Sequence, residues 1–99
     1  VVEPNYFNNK DITAMAGIGN PQRFFSFLNK LGIYLNKTIP FPDHHYYSIG
    51  DIPQDPIILV TEKDYTKLQK FNNPNIWVVI VKVQLNNTHL ITQIKQLTL

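Results

Sequence analysis

Apolar residues in this chain form short runs that alternate with segments of helical periodicity. The runs predict four strands, at residues 11–16, 34–41, 57–60 and 76–85. The third run is apolar throughout, which is typical of a strand buried on both faces of a parallel sheet. Because strands alternate with helices, the sequence predicts an α/β fold. Its architecture is expected to be a three-layer sandwich, with a mostly parallel sheet of about four strands, flanking helices and right-handed crossovers.

The first helix is predicted at residues 21–31, directly after a glycine turn. Asn20 can cap it through its side-chain oxygen, and Pro21 suits the first helical position because its φ is preset. Gly32 is expected to end the helix. Apolar side chains recur at i, i+3, i+4 and i+7, which predicts one apolar face lying on the sheet, formed by Phe24, Phe27, Leu28 and Leu31.

Two more helices and a loop complete the predicted order. A second helix is expected to begin at Thr61, whose hydroxyl can accept a hydrogen bond from the Asp64 amide. The polar run at residues 43–55 predicts a loop with one short helical turn around residues 48–52. Thr88 is expected to cap a last helix, whose apolar face would be Leu90, Ile91, Ile94 and Leu97.

Length and composition indicate a single small domain. The chain has 99 residues, of which 43% are hydrophobic, enough for one modest core. Residues 1–10 are expected to form a lead-in or linker, and residues 11–99 one α/β domain. Since the chain begins with Val and not Met, we expect it to be a piece of a longer protein. Its longest apolar run, at residues 76–81, is far shorter than the roughly 20 residues of a membrane-spanning helix.

Charge and residue usage exclude several classes of function. The formal net charge is +2, and the cationic residues are scattered without the basic stripe that nucleic-acid binding needs. Nucleic acid is therefore not an expected partner. The absence of cysteine excludes disulfides and thiolate zinc sites. No spacing typical of metal ligands occurs among the histidines and acidic residues, so no metal site is predicted.

A glycine turn is expected at the carboxyl edge of the sheet, where open α/β sheets gather their loops and helix starts. Gly17 and Gly19 permit a tight turn, and free amides around Asn20 could face an anionic group such as a phosphate. Arg23 could hold a phosphate oxygen at the same edge. The alternatives are an ordinary strand-to-helix turn and a surface salt bridge, because the glycine spacing lacks the dinucleotide-binding fingerprint.

Asp43, His44 and His45 form the most reactive-looking cluster in the sequence. Imidazole titrates near neutral pH, and a neighbouring carboxylate can fix its tautomer or raise its pKa. Adjacent residues in an extended loop point in different directions, so at most one of the two histidines is expected to face a site. The alternative role for either histidine is hydrogen bonding within the loop.

The segment around Lys63 allows two interpretations. In the functional one, Lys63 or Lys67 contacts a phosphate. In the structural one, both lysines are solvated, and Glu62 and Asp64 place negative charge at the positive end of the helix dipole. A salt bridge from either carboxylate across a domain junction is a further alternative.

Three motifs, in this order, resemble the tetraacyldisaccharide 4'-kinases, lipid A pathway enzymes that phosphorylate a membrane-embedded glycolipid. They are AGIGNPQRFF at residues 16–25, FPDHHYYS at residues 41–48 and VTEKDYTKL at residues 60–68. The resemblance is to the C-terminal part of those kinases and covers residues 12–83. Those kinases also carry an N-terminal ATP-binding domain with a P-loop, whereas no GxxxxGK[ST] occurs in this chain.

The resemblance implies catalytic roles for Asp43 and His44 and none for His45, since the first histidine recurs in the family and the second position varies. His44 would pair with a carboxylate on the missing domain. That carboxylate would take the proton from the sugar hydroxyl as its oxygen attacks the γ-phosphorus of ATP. From residue chemistry alone, the candidate contacts to substrate or phosphate are Gly17, Gly19, Asn20, Arg23 and Lys63.

The resemblance also implies cofactors, partners and a location. The intact enzyme would use ATP and Mg²⁺, neither bound by this fragment alone. Its partners would be its own N-terminal P-loop domain and the lipid A precursor glycolipid. It would work at the cytoplasmic face of the Gram-negative inner membrane, which this segment would meet only through the intact protein.

The fragment alone is expected to be inactive, because catalysis would require the other domain. The alternative function is a stand-alone α/β binding or interaction module without catalysis. A P-loop encoded upstream of residue 1 would favour the kinase, and a start codon immediately before Val1 would favour the module.

Overall fold

The computed structural model describes residues 2–80 and 90–92. In this part of the chain, β1 (Thr13–Ala16) leads to α1 (Pro21–Lys30) and β2 (Lys37–Pro40). The chain continues through β3 (Ile58–Thr61), α2 (Glu62–Leu68), β4 (Ile76–Ile80) and β5 (Leu90–Thr92). Short 3-10 turns lie at Pro4–Phe7, Ile49–Asp51 and Gln69–Phe71.

The strands form one sheet in the order β2-β1-β3-β4-β5. β2, β1, β3 and β4 are parallel, and β5 runs antiparallel to β4. One face packs the α1 residues Phe24 and Leu28 against Ala14 and Ala16 of β1. The opposite face packs Leu68 of α2 into a cluster that includes Met15 and Val60. The predicted α/β class, with helices flanking a mostly parallel sheet, is confirmed.

Helix α1 begins and ends at the predicted signals. The Asn20 side chain accepts a hydrogen bond from the Arg23 amide at 3.2 Å, and Pro21 occupies the first helical position. Gly32 follows the helix with a φ of 89°, a left-handed conformation that favours glycine. Phe25 is also buried, so the apolar face is wider than the predicted stripe.

The last predicted helix is wrong where it can be compared. Leu90–Thr92 is a strand, with Leu90 paired to Ile80 and Thr92 to Val78. A short apolar pair is compatible with either periodicity, and pairing with the edge of β4 decides between them. The rest of that helix prediction (Thr88, Ile94 and Leu97) and residues 81–85 of the fourth predicted strand lie outside the described residues.

β1 and β2 are shorter than the strands predicted at residues 11–16 and 34–41, whereas β3 has the predicted length and begins one residue later. Just before β2, the Asn36 side-chain oxygen accepts a hydrogen bond from the Ile12 amide at 2.9 Å. A side chain therefore takes the place of the backbone carbonyl that would bind this amide if strand pairing began here. The loop at residues 43–55 contains the predicted short turn, as the 3-10 segment Ile49–Asp51.

The residues before β1 pack on the domain. Phe7 is 2% exposed and lies edge-on to Trp77, with ring centroids 5.3 Å apart. Tyr6 also contacts Trp77, at 5.4 Å between centroids. The predicted lead-in therefore contributes side chains to the core on the α1 face of the sheet.

Candidate functional site at the carboxyl edge of the sheet

The carboxyl ends of β1 and β3 place the glycine turn beside the start of α2. β1 and β3 are neighbouring parallel strands, so the residues that follow them share one edge. The Gly17 amide donates to Oδ2 of Asp64 at 3.1 Å. In this structure that amide is bound to a protein carboxylate, which takes the place of the anionic ligand that the sequence suggested for the turn.

Asp64 is fully buried, and both of its carboxylate oxygens accept hydrogen bonds. Oδ2 accepts from the Thr61 hydroxyl at 3.0 Å as well as from Gly17, and Oδ1 accepts from the Tyr47 hydroxyl at 3.1 Å. The Asp64 amide donates back to the Thr61 hydroxyl at 3.2 Å, which confirms the predicted cap.

Sequence reasoning missed this role of Asp64, which it treated as a partner of the helix dipole or of another domain. The available signal was the adjacency of β1 and β3, which brings residues just after the two strands to the same place.

Tyr47 reaches Asp64 across the glycine turn. Burial and, after it, the nearby Asp64 charge raise the pKa of the Tyr47 hydroxyl well above its usual value, so the hydroxyl stays protonated and donates. A Cβ at Gly17 would lie 2.7 Å from the Tyr47 hydroxyl oxygen and 3.3 Å from the Pro42 carbonyl oxygen. Glycine is required at position 17 because the loop that carries Tyr47 rests directly on it.

His44 lies at the tip of a tight turn. The His45 amide donates to the Pro42 carbonyl at 3.1 Å, and His44 has a φ of 60°, which is uncommon for a residue with a side chain. The Asp43 carboxylate accepts from the His44 amide at 3.0 Å and lies 3.5 Å from its Nε2. The His44 side chain is 77% exposed, so the turn presents the imidazole outward.

Asp43 connects this turn to the other two motifs. Its Oδ1 lies 3.9 Å from Nζ of Lys63, the residue after the first position of α2. Its Oδ2 lies 3.6 Å from where a Cβ at Gly19 would stand, so the carboxylate covers that glycine. The structure thus brings four predicted site residues together: Gly19, Asp43, His44 and Lys63.

His45 points away from His44 and is held inside the loop. Its ring stacks on Phe41 at 4.7 Å between centroids, and its Nε2 lies 3.0 Å from Oδ2 of Asp51. A hydrogen bond from the Ser48 amide, and then the bond with His45, lower the pKa of the Asp51 carboxyl. The two histidines diverge as predicted, and His45 is a loop hydrogen-bonding residue.

Asn20 and Arg23 stand at the other side of the glycine turn. The Asn20 side chain is used in capping α1, whereas Arg23 is exposed. Both line a shallow depression of about 420 Å³ with an apolar floor that includes Ile18, Phe24 and Phe27. A second depression of about 330 Å³ shares Phe24 and Phe27 and reaches Lys63. Arg23 and Lys63 therefore line two adjoining depressions, together called the groove.

Two further observations concern metal and membrane. Within residues 2–80 and 90–92, no three His, Cys, Asp or Glu side chains come together as metal ligands. In the same ranges, the helices lack the length and apolar character needed to cross a bilayer.

Comparisons with known proteins agree with the three-motif resemblance. The family model for tetraacyldisaccharide-1-P 4'-kinase matches residues 2–98. A tetraacyldisaccharide 4'-kinase of Haemophilus influenzae is 44% identical over 75 residues, which are 73% of this chain and 23% of the relative. That of Shewanella frigidimarina is 38% identical over 97 residues, 91% of this chain and 29% of the relative.

The chain spans about a quarter of the length of the curated relatives it matches. No solved structure matches it. Because the family model covers nearly the whole chain, the chain belongs to the tetraacyldisaccharide 4'-kinase family.

Proposed function

We propose that this chain is the C-terminal part of a kinase that transfers the γ-phosphate of ATP to the 4'-hydroxyl of tetraacyldisaccharide 1-phosphate in lipid A biosynthesis. The P-loop domain would belong to the rest of a longer protein. That protein would work at the cytoplasmic face of the Gram-negative inner membrane. The observation that carries the proposal is the exposed Asp43–His44 pair, held on a strained turn at the carboxyl edge of the sheet.

The Asp43–His44 pair is suited to acid–base support of phosphoryl transfer. The Asp43 carboxylate lies 3.5 Å from Nε2 of His44, so it limits the orientation of the imidazole. His44 would in turn pair with a carboxylate on the P-loop domain, and that carboxylate would accept the proton of the sugar hydroxyl. A positive φ at a non-glycine residue costs free energy, which is typical of backbone held for a function.

Cations at this edge fit the charge of the substrates. Lys63 lies beside Asp43, and Arg23 is exposed at the other side of the groove. Both can meet phosphate oxygens in a closed cleft, where positioning and charge stabilisation supply most of the catalysis. We assign Mg²⁺ and the main ATP contacts to the P-loop domain, because the backbone amides of a P-loop bind phosphates and its Ser/Thr hydroxyl binds Mg²⁺.

The test is phosphate transfer from ATP to tetraacyldisaccharide 1-phosphate by the parent protein, comparing His44→Ala with His45→Gln. We expect His44→Ala to lower turnover about a hundredfold or more, as loss of a positioned acid–base partner does. His45→Gln is the matched control, because glutamine keeps a donor toward Asp51 and the position faces into the loop. Its turnover is expected to stay within about threefold of wild type.

Two results would contradict the proposal. Wild-type turnover in a folded His44→Ala protein would confine the turn to a structural role. Absence of phosphate transfer by the parent protein itself would favour a stand-alone binding or interaction module.

A further inference from the structure

We propose that Asp64 is a positioning residue of this kinase: through the Tyr47 hydroxyl, it holds the loop that carries His44 against the glycine turn at Gly17. The inference rests on the proposed function, because the loop matters to turnover only if His44 does. The Asp64 side chain lies beneath that loop and is 0% exposed, so it can influence a substrate only through the residues that it binds.

The burial of Asp64 is not explained by capping or by the helix dipole. Glu62 is exposed in the first turn of α2 and supplies negative charge there. The Thr61 hydroxyl caps α2 by accepting from the Asp64 amide, which any residue at position 64 except proline would provide. Burying a carboxylate costs free energy unless hydrogen bonds replace its lost hydration. For Asp64, such hydrogen bonds come from the motif of the glycine turn and from the motif of the histidine loop.

Packing on Gly17 and a hydrogen bond to Asp64 hold the loop before and after His44. The Pro42 carbonyl before His44 and the His45 Cβ after it lie 3.3 and 3.4 Å from the position of a Cβ at Gly17, so the turn packs on the glycine. Further along the loop, the Tyr47 hydroxyl donates to Asp64 at 3.1 Å. The Tyr47 ring lies edge-on to His45, with 4.9 Å between ring centroids.

Asp64 therefore joins the three motifs at one point. Its Oδ2 binds the glycine turn through Gly17, its Oδ1 binds the histidine loop through Tyr47, and its own helix carries Lys63 beside Asp43. A small misplacement of a catalytic group lowers the reaction rate by a large factor. Loss of the Tyr47 hydroxyl, through which Asp64 holds the loop, is therefore expected to lower turnover.

The experiment is Tyr47→Phe in the parent protein, which removes the hydroxyl and keeps the ring. We expect kcat to fall roughly 10-fold to 30-fold, with the KM for ATP changed less than about twofold. In a His44→Ala background, Tyr47→Phe is expected to cost less than about twofold more, because the residue through which it acts is gone. The assay must quantify about one-thousandth of wild-type turnover, so that the double variant is measured.

Thr13→Val is the matched control. The Thr13 hydroxyl also donates to a carboxylate, Oδ2 of Asp55 at 2.7 Å, but at the amino end of β1, away from the His44 loop. Removing this bond is expected to change kcat less than about twofold while lowering stability to a similar extent as Tyr47→Phe. The control separates the loss of any hydroxyl–carboxylate hydrogen bond from the loss of the one that holds the His44 loop.

Asp64→Asn tests the same hydrogen bonds by changing the carboxylate that accepts them. The asparagine oxygen can accept from Gly17 and Thr61, while its amide nitrogen donates to the Tyr47 oxygen. We therefore expect Asp64→Asn to recover most of the turnover that Asp64→Ala loses. Equal turnover in these two variants would overturn the inference.

Three further outcomes distinguish the failure of this inference from the failure of the proposed function. Wild-type kcat in Tyr47→Phe, beside a large loss in His44→Ala, would overturn this inference and leave the proposed function standing. An equal further loss from Tyr47→Phe with and without His44 would assign the hydroxyl to overall stability and overturn the inference as well. Wild-type kcat in His44→Ala would overturn the proposed function, and this inference with it.

Discussion

At the scale of single residues, the backbone conformation of His44 opposes stability. Its φ of 60° is a left-handed conformation, which a side chain makes unfavourable by about 1 kcal/mol or more. The side chain is exposed, so no burial of the imidazole compensates this cost. The neighbouring His45, by contrast, stacks on Phe41 and pairs with Asp51.

We predict that His44→Gly in the parent protein is more stable than His44→Ala by about 1 kcal/mol, because glycine adopts a positive φ without a steric penalty. Both variants are expected to lose turnover. Urea unfolding measures the difference. Asn72 provides a control, since it has a φ of 53° at the end of the 3-10 turn Gln69–Phe71, and the same glycine–alanine comparison there should leave turnover unchanged. Equal stability of the two His44 variants would contradict the strain argument.

Some residue roles were predictable from the sequence and others were not. Asn20, Pro21 and Gly32 have local roles, which depend only on their neighbours in the chain, and the structure confirms them. The role of Asp64 depends on contacts with Gly17 and Tyr47, which are distant in sequence. A carboxylate in the first turn of a helix suits the dipole whether it is exposed or buried, so its position alone did not predict its burial.

At the scale of elements, short apolar runs predicted β1 and β3, since those strands are buried on both faces of the sheet. The same reasoning failed for β5, because the pairing of Leu90–Thr92 with β4 is a tertiary interaction that overrides local periodicity.

The amino ends of β1 and β2 are joined by the side chain of Asp55, which the sequence did not single out. Asp55 accepts from Thr13 of β1 at 2.7 Å and lies 3.2 Å from Nζ of Lys37 of β2.

We predict that Asp55 makes the stability of this domain depend on acid pH. The Thr13 hydrogen bond, and then the Lys37 contacts, hold the pKa of the Asp55 carboxyl below its usual value. Near and below pH 4, the unfolded chain therefore binds a proton that the folded chain does not, and stability falls as pH is lowered through the folded pKa. Asp55→Asn should be less stable than wild type at pH 7, with a gap that narrows below about pH 4.

Urea unfolding at a series of pH values measures that gap. A gap that stays constant down to pH 3 would show that the loss comes from packing rather than from the charge of Asp55.

At the scale of the whole molecule, the candidate site has the form of one wall of a cleft. His44 is exposed, Lys63 and Arg23 line the groove, and a carboxylate to receive the hydroxyl proton is assigned to another domain. The fold class and the position of the three motifs at one edge followed from the sequence. Under the proposed function, the complementary wall would come from the P-loop domain.

We predict that the isolated 99 residues transfer no phosphate from ATP to the disaccharide, although the parent protein does. Folding of the fragment is checked independently by near-ultraviolet circular dichroism, since Trp77 packs against Phe7 and Tyr6 in the native structure. Phosphate transfer by the folded fragment would contradict the assignment of catalysis to two domains.

The edge strand β2 has a consequence for self-association. Lys37 and Phe41 donate their amides to β1, so by alternation the amides of residues 38 and 40 face away from it. Position 40 is proline, which has no N–H, and Lys37 places a charge on the same strand. Within the described sheet, this edge is therefore a poor template for a strand of a second copy. Replacing Pro40 with an aliphatic residue would supply the missing donor and make strand pairing between two copies at that edge easier.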